Sequence, residues 1–514
     1  MKKYISIMFL TLAIAGSSCK KDYLDLTVNP NVPSTSSPNL LLSGSLKNSA
    51  GFVNSGSYVM YAAWVGHLSQ STGFQPFVAL EQYQFTTSSY DAWTAPYLNI
   101  ANYTALQAST PEPYYQAIAK IMKAYMYQGL VDNYNNIPYT TAIQGTGNLN
   151  PTYDSGSAVY DDLLKQLDDA MTLISGATPA ALNPAGSDIM FGGNMTKWAK
   201  FANTLKLRIA LRQSNTTKTA ALKAAVAATS AVGYIDASFD ARVQPGYINS
   251  DASGGQQSPL WLYYGLAQGG GAQPGNAQYQ ANSFLADYLG SHADPRLGRI
   301  FSYSPTTHVS TTTGLLPGAS INIQPGTTDA VVSTTFGDSQ PPTGTIDGKT
   351  GGITPSKVGP GILKSATMPA IVMSSAEALF LQAEAANTGY ITGDAQALYN
   401  AGVLASFTDL GAVLPAAYLA AGGTYAWPAT ATAQETAIIT QKWIALAISG
   451  SFEAFNEERR TGIPNVPTSI YPGANAPNQV ARIFYPFVEY ATNSANVGAQ
   501  GTIDKFTSKI FWAK

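Results

Sequence analysis

The chain has 514 residues, of which 11% are charged, and a formal net charge of −2 at pH 7. Typical soluble domains carry about 25% charged residues, and a chain with so few Lys and Arg lacks the basic surface of a nucleic-acid-binding protein. The single cysteine, Cys19, excludes a disulfide framework and a multi-cysteine zinc site.

The first eighteen residues have the organisation of a secretion signal. Residues 1–3 are a basic start, residues 5–15 are almost wholly apolar, and residues 16–18 are small. Cys19 follows directly, as in a bacterial lipobox, although Gly16 replaces the usual large aliphatic residue. The sequence therefore predicts a lipoprotein signal peptide over 1–18 and a lipidated Cys19, with an ordinary signal peptide and an incidental cysteine as the alternative.

Residues 19–38 have the composition of a tether, and no later segment has the composition of a membrane-spanning helix. Residues 19–38 are rich in Pro, Ser and Asn, which is typical of a solvated linker. A membrane-spanning helix needs roughly 20 apolar residues, and no later run reaches that length without polar residues. We expect attachment to the membrane through the lipid alone.

Six segments of the body have helical periodicity, because apolar residues recur every three or four positions. They are residues 114–132, 157–174, 196–212, 374–387, 394–404 and 432–449. Asp154 or Ser155 is a plausible cap for the second segment, and Gly389 is a plausible terminator after the fourth. The fourth and fifth segments together resemble a tetratricopeptide-like hairpin.

Long segments rich in Gly, Pro, Ser, Thr and Gln separate these helices. They are roughly 71–90, 244–280, 303–360 and 463–500. Loops of this length are usually functional or disordered. Within the third, residues 311–350 have β-favouring residues and turn formers, which predicts one or two short hairpins. The predicted fold class is all-α, a scaffold of tetratricopeptide-like helical hairpins with long irregular loops and a few short β-hairpins.

The charged motifs favour structural roles over catalysis. Arg208 and Arg212 share the apolar stripe of the third helix, which favours buried arginines paired with carboxylates over ligand contact. The helical spacing within residues 457–460 favours ion pairing inside the chain. Residues 294–297 read as a helix end and turn, because the residue before proline avoids the helical region. The three histidines lack metal-ligand spacing, so no metal and no cofactor is predicted. A surface calcium bound by loop carboxylates, with Asp338 and Asp347 as candidates, is the alternative left open.

Several strings occur together and in order along the chain. They are CKKDYLDL at 19–26 with NPN at 29–31, VDNYNNIPY at 131–139, WAKFANTLKLR at 198–208, DPRL at 294–297, the two AEA triplets at 376–378 and 383–385, EERRTG at 457–462, and RIFYP at 482–486 with Glu489. In this combination the chain resembles the SusD/RagB-like outer-membrane lipoproteins of Bacteroidetes-type bacteria, in particular the second SusD-like branch.

The resemblance implies a fold, a location and partners. It implies a single SusD-like all-α domain over residues 39–514 behind a lipid anchor on the outer leaflet of the outer membrane. Members pair with a SusC-like, TonB-dependent β-barrel transporter and deliver captured glycans, or sometimes peptides, to it. They are not enzymes, so no catalytic residue is expected.

Aromatic and amide side chains in two of the long loops are the candidate ligand contacts. Aromatic rings pack on the apolar face of a sugar, and neutral amides bind its hydroxyls. The candidates are Phe74, Gln75, Phe77 and Tyr83 in the first loop, and Tyr247, Asn249, Trp261, Tyr264, Asn276 and Tyr279 in the second. Packing of the loop onto the scaffold is the preferred interpretation for any single one of the aromatic residues, and it is also the one preferred for Trp93.

Two other functions stay open from the residues alone. A secreted glycoside hydrolase needs two carboxylates at a set separation, and acidic residues are sparse in the aromatic loops. A pure scaffold is compatible with tetratricopeptide-like helices. The neutral, tyrosine-rich loops favour a glycan binder over both.

Overall fold

The computed structural model describes residues 36–53, 58–70, 77–252, 255–302, 357–469, 474 and 476–514, and the backbone of short strands between 320 and 350. The predicted signal peptide, lipidated Cys19 and most of the tether lie outside the described residues, as do Phe74, Gln75, Asp338 and Asp347. Within the described part, no helix is both long enough and apolar enough to cross a membrane.

Helices form most of the described chain. In chain order they are α1 Pro38–Val53, α2 Val59–Trp64, α3 Val78–Glu81, α4 Thr94–Ser109, α5 Pro113–Tyr134, α6 Gly156–Ser175, α7 Met195–Arg212, α8 Thr219–Ala227, α9 Pro259–Tyr264, α10 Pro274–Gln278, α11 Ser283–Ser291, α12 Leu297–Ile300, α13 Ser375–Asn387, α14 Ala395–Leu410, α15 Ala431–Ala445, α16 Ser451–Thr461, α17 Phe487–Thr492 and α18 Ser494–Gly498.

Side-chain caps explain where many of these helices begin. An Asn, Asp, Ser or Thr oxygen that accepts an N–H of the first turn satisfies a donor with no partner inside the helix. Such caps are Ser155 for α6, Asn194 for α7, Asn282 for α11, Ser374 for α13, Asp394 for α14 and Thr430 for α15. All six predicted helices are confirmed, and each begins within two residues of its expected start.

Two predicted helix ends were wrong. Helix α14 continues past residue 404 to Leu410, because Phe407 and Leu410 prolong its buried face and Gly411 then takes the left-handed conformation that ends it. Helix α15 stops at Ala445 rather than at 449. Ile448 has a φ of 63°, and its N–H donates to His67 Nδ1 at 3.3 Å instead of continuing the helix.

Strands are short and pair two by two, always antiparallel. The pairs are β1 Leu68–Gln70 with β5 Tyr279–Ala281, β2 Ile137–Pro138 with β3 Tyr153–Asp154, β4 Ala241–Val243 with β10 Ala370–Met373, β6 Ser320–Ile323 with β7 Ala330–Thr334, and β8 Thr345–Ile346 with β9 Lys349–Thr350. The last two pairs confirm the hairpins predicted within 311–350. The segments predicted as loops at 71–90, 244–280 and 463–500 were only partly so, since short helices interrupt each of them.

The helical hairpin of α13 and α14 packs unusually closely. A Cβ at Gly402 would lie 2.8 Å from the Phe380 ring, so glycine permits the approach. Tyr399, Val403 and Phe407 of α14 complete a small hydrophobic cluster with this ring. The predicted hairpin is therefore confirmed as a pair of packed helices, while its tetratricopeptide-like character stays a prediction.

A network of buried charges holds the centre of the fold, as the arginine stripe predicted. Arg208 contacts Glu377 at 3.0 Å, and Arg212 contacts Asp132 at 3.4 Å, all of them buried. Arg460 pairs with Glu457 one turn earlier in α16, which confirms the ion pairing expected within 457–460. The predicted core position of Trp93 is also confirmed, since it is 5% exposed.

Candidate functional site

The candidate functional site is a cleft of about 840 Å³ between α1, α4 and the segment 245–263 that includes α9. Its walls combine aromatic, aliphatic and amide side chains. Its lining is Lys47, Asn48, Gly51, Phe52, Asp91, Ala95, Leu98, Asn99, Asn102, Pro245, Gly246, Tyr247, Ile248, Gly255, Gln256, Gln257, Pro259, Leu262 and Tyr263. Leu98 and Ile248 are 65% and 51% exposed, so the cleft offers apolar surface to solvent.

The wall formed by 245–263 is fixed by backbone hydrogen bonds. Ile248 N–H donates to Gln256 O at 3.0 Å, which folds the segment back on itself. Ser258 N–H donates to Ala366 O at 2.7 Å and ties the start of α9 to the scaffold. Gly255 has a φ of 91°, and a Cβ there would lie 2.6 Å from the Leu262 side chain, so this turn requires glycine.

The opposite wall comes from one face of α4. Residues 95, 98, 99 and 102 all line the cleft, and this i, i+3, i+4, i+7 spacing places them on one side of a helix. Asp91 lies just before the helix, and its Oδ1 accepts the N–H groups of Trp93 at 2.9 Å and Thr94 at 2.8 Å. Its carboxylate therefore orients the start of α4.

Two buried polar atoms of the lining lack a hydrogen-bond partner among the described residues. They are Asn99 Oδ1 and the Tyr247 hydroxyl. The amide of Asn99 is held in place, because its Nδ2 donates to Ser45 O at 3.1 Å and Ser49 Oγ at 2.9 Å. Unpaired buried polar atoms are costly and rare, so these two leave unsatisfied hydrogen-bonding positions just beneath the cleft wall.

The tyrosines of the wall are uncharged, and one of them, Tyr263, packs against a buried ring. The Tyr263 ring stacks on the Tyr279 ring, with centroids 6.3 Å apart and planes 29° apart. Burial raises the pKa of Tyr247 to about 12, and burial also raises the pKa of Tyr263. Both phenols stay uncharged at neutral pH, so the wall offers rings and hydroxyl groups rather than anions.

Of the candidate ligand residues from the sequence, the structure places Tyr247 in the lining. Asn249 is exposed next to it, and its Oδ1 accepts from the lining residue Gln257 at 2.6 Å. Trp261 is half-buried, and its indole N–H donates to Leu266 O at 2.9 Å. These three lie along the same wall segment, but neither Asn249 nor Trp261 lines the cleft.

The remaining described candidates pack the loops onto the scaffold. Tyr83, Tyr264, Tyr279 and Asn276 are buried. The Asn276 amide donates to Tyr264 O at 2.8 Å and accepts from Lys357 at 2.9 Å, so its hydrogen bonds are made within the protein. Phe77 is half-buried, with its ring 6.2 Å from that of Tyr90.

The residues that α1 and α4 contribute to the cleft were not predicted from the sequence. Lys47, Asn48 and Phe52 of α1 and Leu98 and Asn99 of α4 all line the cleft. No local signal marks them, because their role depends on a contact with a segment about 150 to 200 residues away in sequence. Tyr263 lies in the second candidate loop but is not among the residues predicted to contact a ligand.

Comparisons with known proteins give a family and a fold. A family model described as "SusD-like_2: Starch-binding associating with outer membrane" matches residues 30–486. A Bacteroidetes SusD-like structure is 22% identical, with a TM-score of 0.72 over 93% of this chain and 100% of the other. A chitin-binding SusD homologue from Flavobacterium johnsoniae is 22% identical, with a TM-score of 0.70 over 92% and 98%.

A SusD homologue from Bacteroides uniformis is 23% identical, with a TM-score of 0.68 over 92% of this chain and 99% of the other. No curated protein sequence matches the chain. At these identities the structures show the fold alone. The all-α SusD-like fold expected from the sequence is confirmed.

Proposed function

Because the chain belongs to the SusD-like family, whose model is described as starch-binding and associating with the outer membrane, we propose that it captures glycans at the outer membrane in the cleft described above. The captured oligosaccharide is then delivered to a SusC-like, TonB-dependent β-barrel transporter. Lipid attached to Cys19 holds the protein on the membrane, with the cleft outside the cell.

The observation that carries the proposal is the chemistry of the cleft wall. A neutral sugar presents an apolar ring face and a rim of hydroxyl groups. Tyr263, Phe52 and Leu98 offer apolar surface for the ring. The amides of Asn48 and Gln256, which line the cleft and are exposed, can each bind a sugar hydroxyl.

The same wall supports a binding role without catalysis. Glycoside hydrolysis uses a pair of carboxylates. Asp91 is the single carboxylate among the described lining residues, and two backbone N–H groups already bind it. The described lining therefore offers contacts for holding a glycan and no matched acid and base for cutting one.

Isothermal titration of the purified full chain with neutral oligosaccharides tests the proposal. Maltoheptaose and chitohexaose are suitable probes, because the family model is described as starch-binding and one structural relative as chitin-binding. We expect at least one to bind, and Leu98→Arg to weaken that binding at least tenfold by placing a long charged side chain on the exposed apolar wall.

Leu182→Arg is the matched control, since Leu182 is 55% exposed and does not line the cleft. It should bind the glycan as the unmodified protein does. Failure of both glycans to bind, or equal affinity of the Leu98→Arg variant, would contradict the proposal. Binding of peptides in place of glycans would favour the other nutrient class known for this type of protein, and release of shorter sugars would favour a hydrolase.

A further inference from the structure

A second, smaller cavity lies on the other side of α4 from the cleft. It has a volume of about 190 Å³ and is enclosed by α4, α5, α6 and the segment 139–143. Its side chains include Lys120, Lys123, Gln107, Gln166, Tyr127 and Tyr139. A water molecule takes about 30 Å³ in the liquid, so the cavity has the volume of about six water molecules. This space suits one sugar ring and is too small for an oligosaccharide.

The two lysines of this cavity are not equivalent. Lys120 forms a salt bridge with Asp169 at 3.2 Å and donates to Gln166 Oε1 at 2.7 Å. Lys123 lies one turn later on the same helix face and donates to Gln107 Oε1 at 3.0 Å. Among the described residues it has no salt bridge with a carboxylate. Burial and the neighbouring Lys120 lower the pKa of Lys123, as expected for an ammonium group without a counter-charge.

The hydrogen-bonding groups of Lys123 and Gln107 that remain for a ligand are donors. An ammonium group has three N–H donors, and Lys123 uses one of them on Gln107. Because that bond occupies Gln107 Oε1, the amide nitrogen of Gln107 is the group that remains for a ligand. Asp162 lies outside the lining, where it accepts from the Tyr139 hydroxyl at 2.5 Å and from Gln166 at 3.1 Å. A ligand that fits these donors must supply acceptors.

The rest of the wall is aromatic and apolar. The Tyr127 and Tyr139 rings meet edge to face with centroids 4.7 Å apart. Ile143, which also lines the cavity, has a φ of 56°. That conformation is costly for a β-branched residue, and residues held in such conformations cluster at ligand sites. The backbone conformation of the segment 139–143, which borders the cavity, therefore has an energetic cost.

We propose that this cavity is a second ligand site that binds a single-ring sugar acid, with the ligand carboxylate on Lys123 and its ring against Tyr127 and Tyr139. A carboxylate supplies the missing counter-charge and makes charge-assisted hydrogen bonds with the ammonium group. The hydroxyl groups of the sugar accept from Gln107. The site is separate from the glycan cleft and does not depend on the function proposed for that cleft.

The test is isothermal titration of the full chain with D-glucuronate, with D-glucose and acetate as comparison ligands. We expect D-glucuronate to bind and both comparison ligands to bind at least tenfold more weakly, since each lacks one half of the proposed interaction. Lys123→Met keeps the length and the helix propensity of the side chain and should weaken binding of D-glucuronate at least tenfold. Lys165→Met makes the same change on the exposed side of α6 and should leave it unaltered.

Circular dichroism and the thermal midpoint check that the Lys123→Met variant folds, and Lys123→Gln serves as a polar second variant if it does not. Absence of D-glucuronate binding, equal binding of D-glucose, or full binding by the folded Lys123 variants overturns the proposal. The Leu98→Arg cleft variant should retain D-glucuronate binding. The glycan cleft and the sugar-acid site can therefore fail or succeed independently.

Discussion

Buried charge is concentrated at a few side chains of the interior. Burial acts to raise the pKa of Glu457, but Arg460 and Lys442 outweigh it and hold that pKa well below its ordinary value. Arg460 also contacts Glu384 at 2.7 Å, so this guanidinium joins α13 to α16. Removing one partner of this network would leave an uncompensated buried charge, which is strongly destabilising.

Glu81 lacks this compensation. It is fully buried at the end of α3, neither carboxylate oxygen has a hydrogen-bond partner among the described residues, and burial raises its pKa to about 8. Between the unfolded pKa near 4.3 and the folded value, the folded protein keeps a proton that the unfolded chain loses. The free energy of unfolding therefore falls as pH rises through this window.

We expect Glu81→Gln to remove that pH dependence. One proton changes the free energy of unfolding by about 1.4 kcal/mol per pH unit. The free energy of unfolding of the variant, relative to that of the unmodified protein, should therefore increase by at most about 4 kcal/mol from pH 5 to pH 8. Urea unfolding at both pH values measures it. The same substitution at the half-buried Glu435 is the control. A constant difference between the Glu81 variant and the unmodified protein at the two pH values would show that Glu81 is ionised in the fold.

The buried charges were easier to predict than the ligand contacts, for a physical reason. An arginine on an apolar helix stripe requires a carboxylate partner, so the burial of Arg208 and Arg212 follows from local spacing. An aromatic residue in a loop satisfies packing and sugar binding equally well. Tyr83 and Tyr279 took the packing role and Tyr247 lines the cleft, although all three occur in similar loop sequences.

At the level of elements, side-chain caps made helix starts predictable. Ser155, Ser374 and Asp394 each accept an N–H of the first turn, and the sequence shows such residues directly before an apolar stripe. Helix α1 has a capping serine, since Ser37 Oγ accepts the Leu40 N–H at 3.4 Å, but glycines and serines interrupt the apolar residues that follow it. It forms because tertiary packing buries Leu42 and Leu46, which no local pattern reveals.

The contact between α13 and α14 predicts opposite effects of one substitution at two helical glycines. An added Cβ at Gly402 would meet the Phe380 ring at 2.8 Å, whereas one at Gly44 in α1 would have no atom within 4 Å. Gly402→Ala should therefore lower the free energy of unfolding by about 1–3 kcal/mol. Gly44→Ala should raise it by up to about 1 kcal/mol, because alanine favours the helix.

Chemical unfolding of both variants measures these changes, and each serves as the control for the other. If both substitutions stabilise the protein equally, helix propensity alone determines the change in the free energy of unfolding. Helices α13 and α14 would then pack less closely than the 2.8 Å approach at Gly402 implies. If Gly402→Ala destabilises only when Phe380 is present, which the double variant with Phe380→Leu examines, the ring is the cause.

For the molecule as a whole, α4 connects the two cavities. Its face with Leu98 and Asn99 borders the cleft, and Thr104 and Gln107 border the smaller cavity. Both cavities are walled by segments far apart in sequence, so neither could be predicted before the tertiary fold was known. The resemblance to a family supplied what local chemistry could not, since the family strings run in order through the whole chain.

The proposed lipid on Cys19 would decide in which compartment both cavities operate. One acyl chain gives only marginal membrane binding, while several chains on one residue give a stable anchor. If Cys19 carries this anchor, Cys19→Ala should move the protein from the outer-membrane fraction to the soluble fraction and abolish labelling with a radioactive fatty acid. Ser18→Ala keeps a small residue next to the cysteine and should remain membrane-bound and labelled. Continued labelling of the Cys19→Ala variant in the outer membrane would contradict the proposed anchor, because the chain has no second cysteine that could carry the lipid.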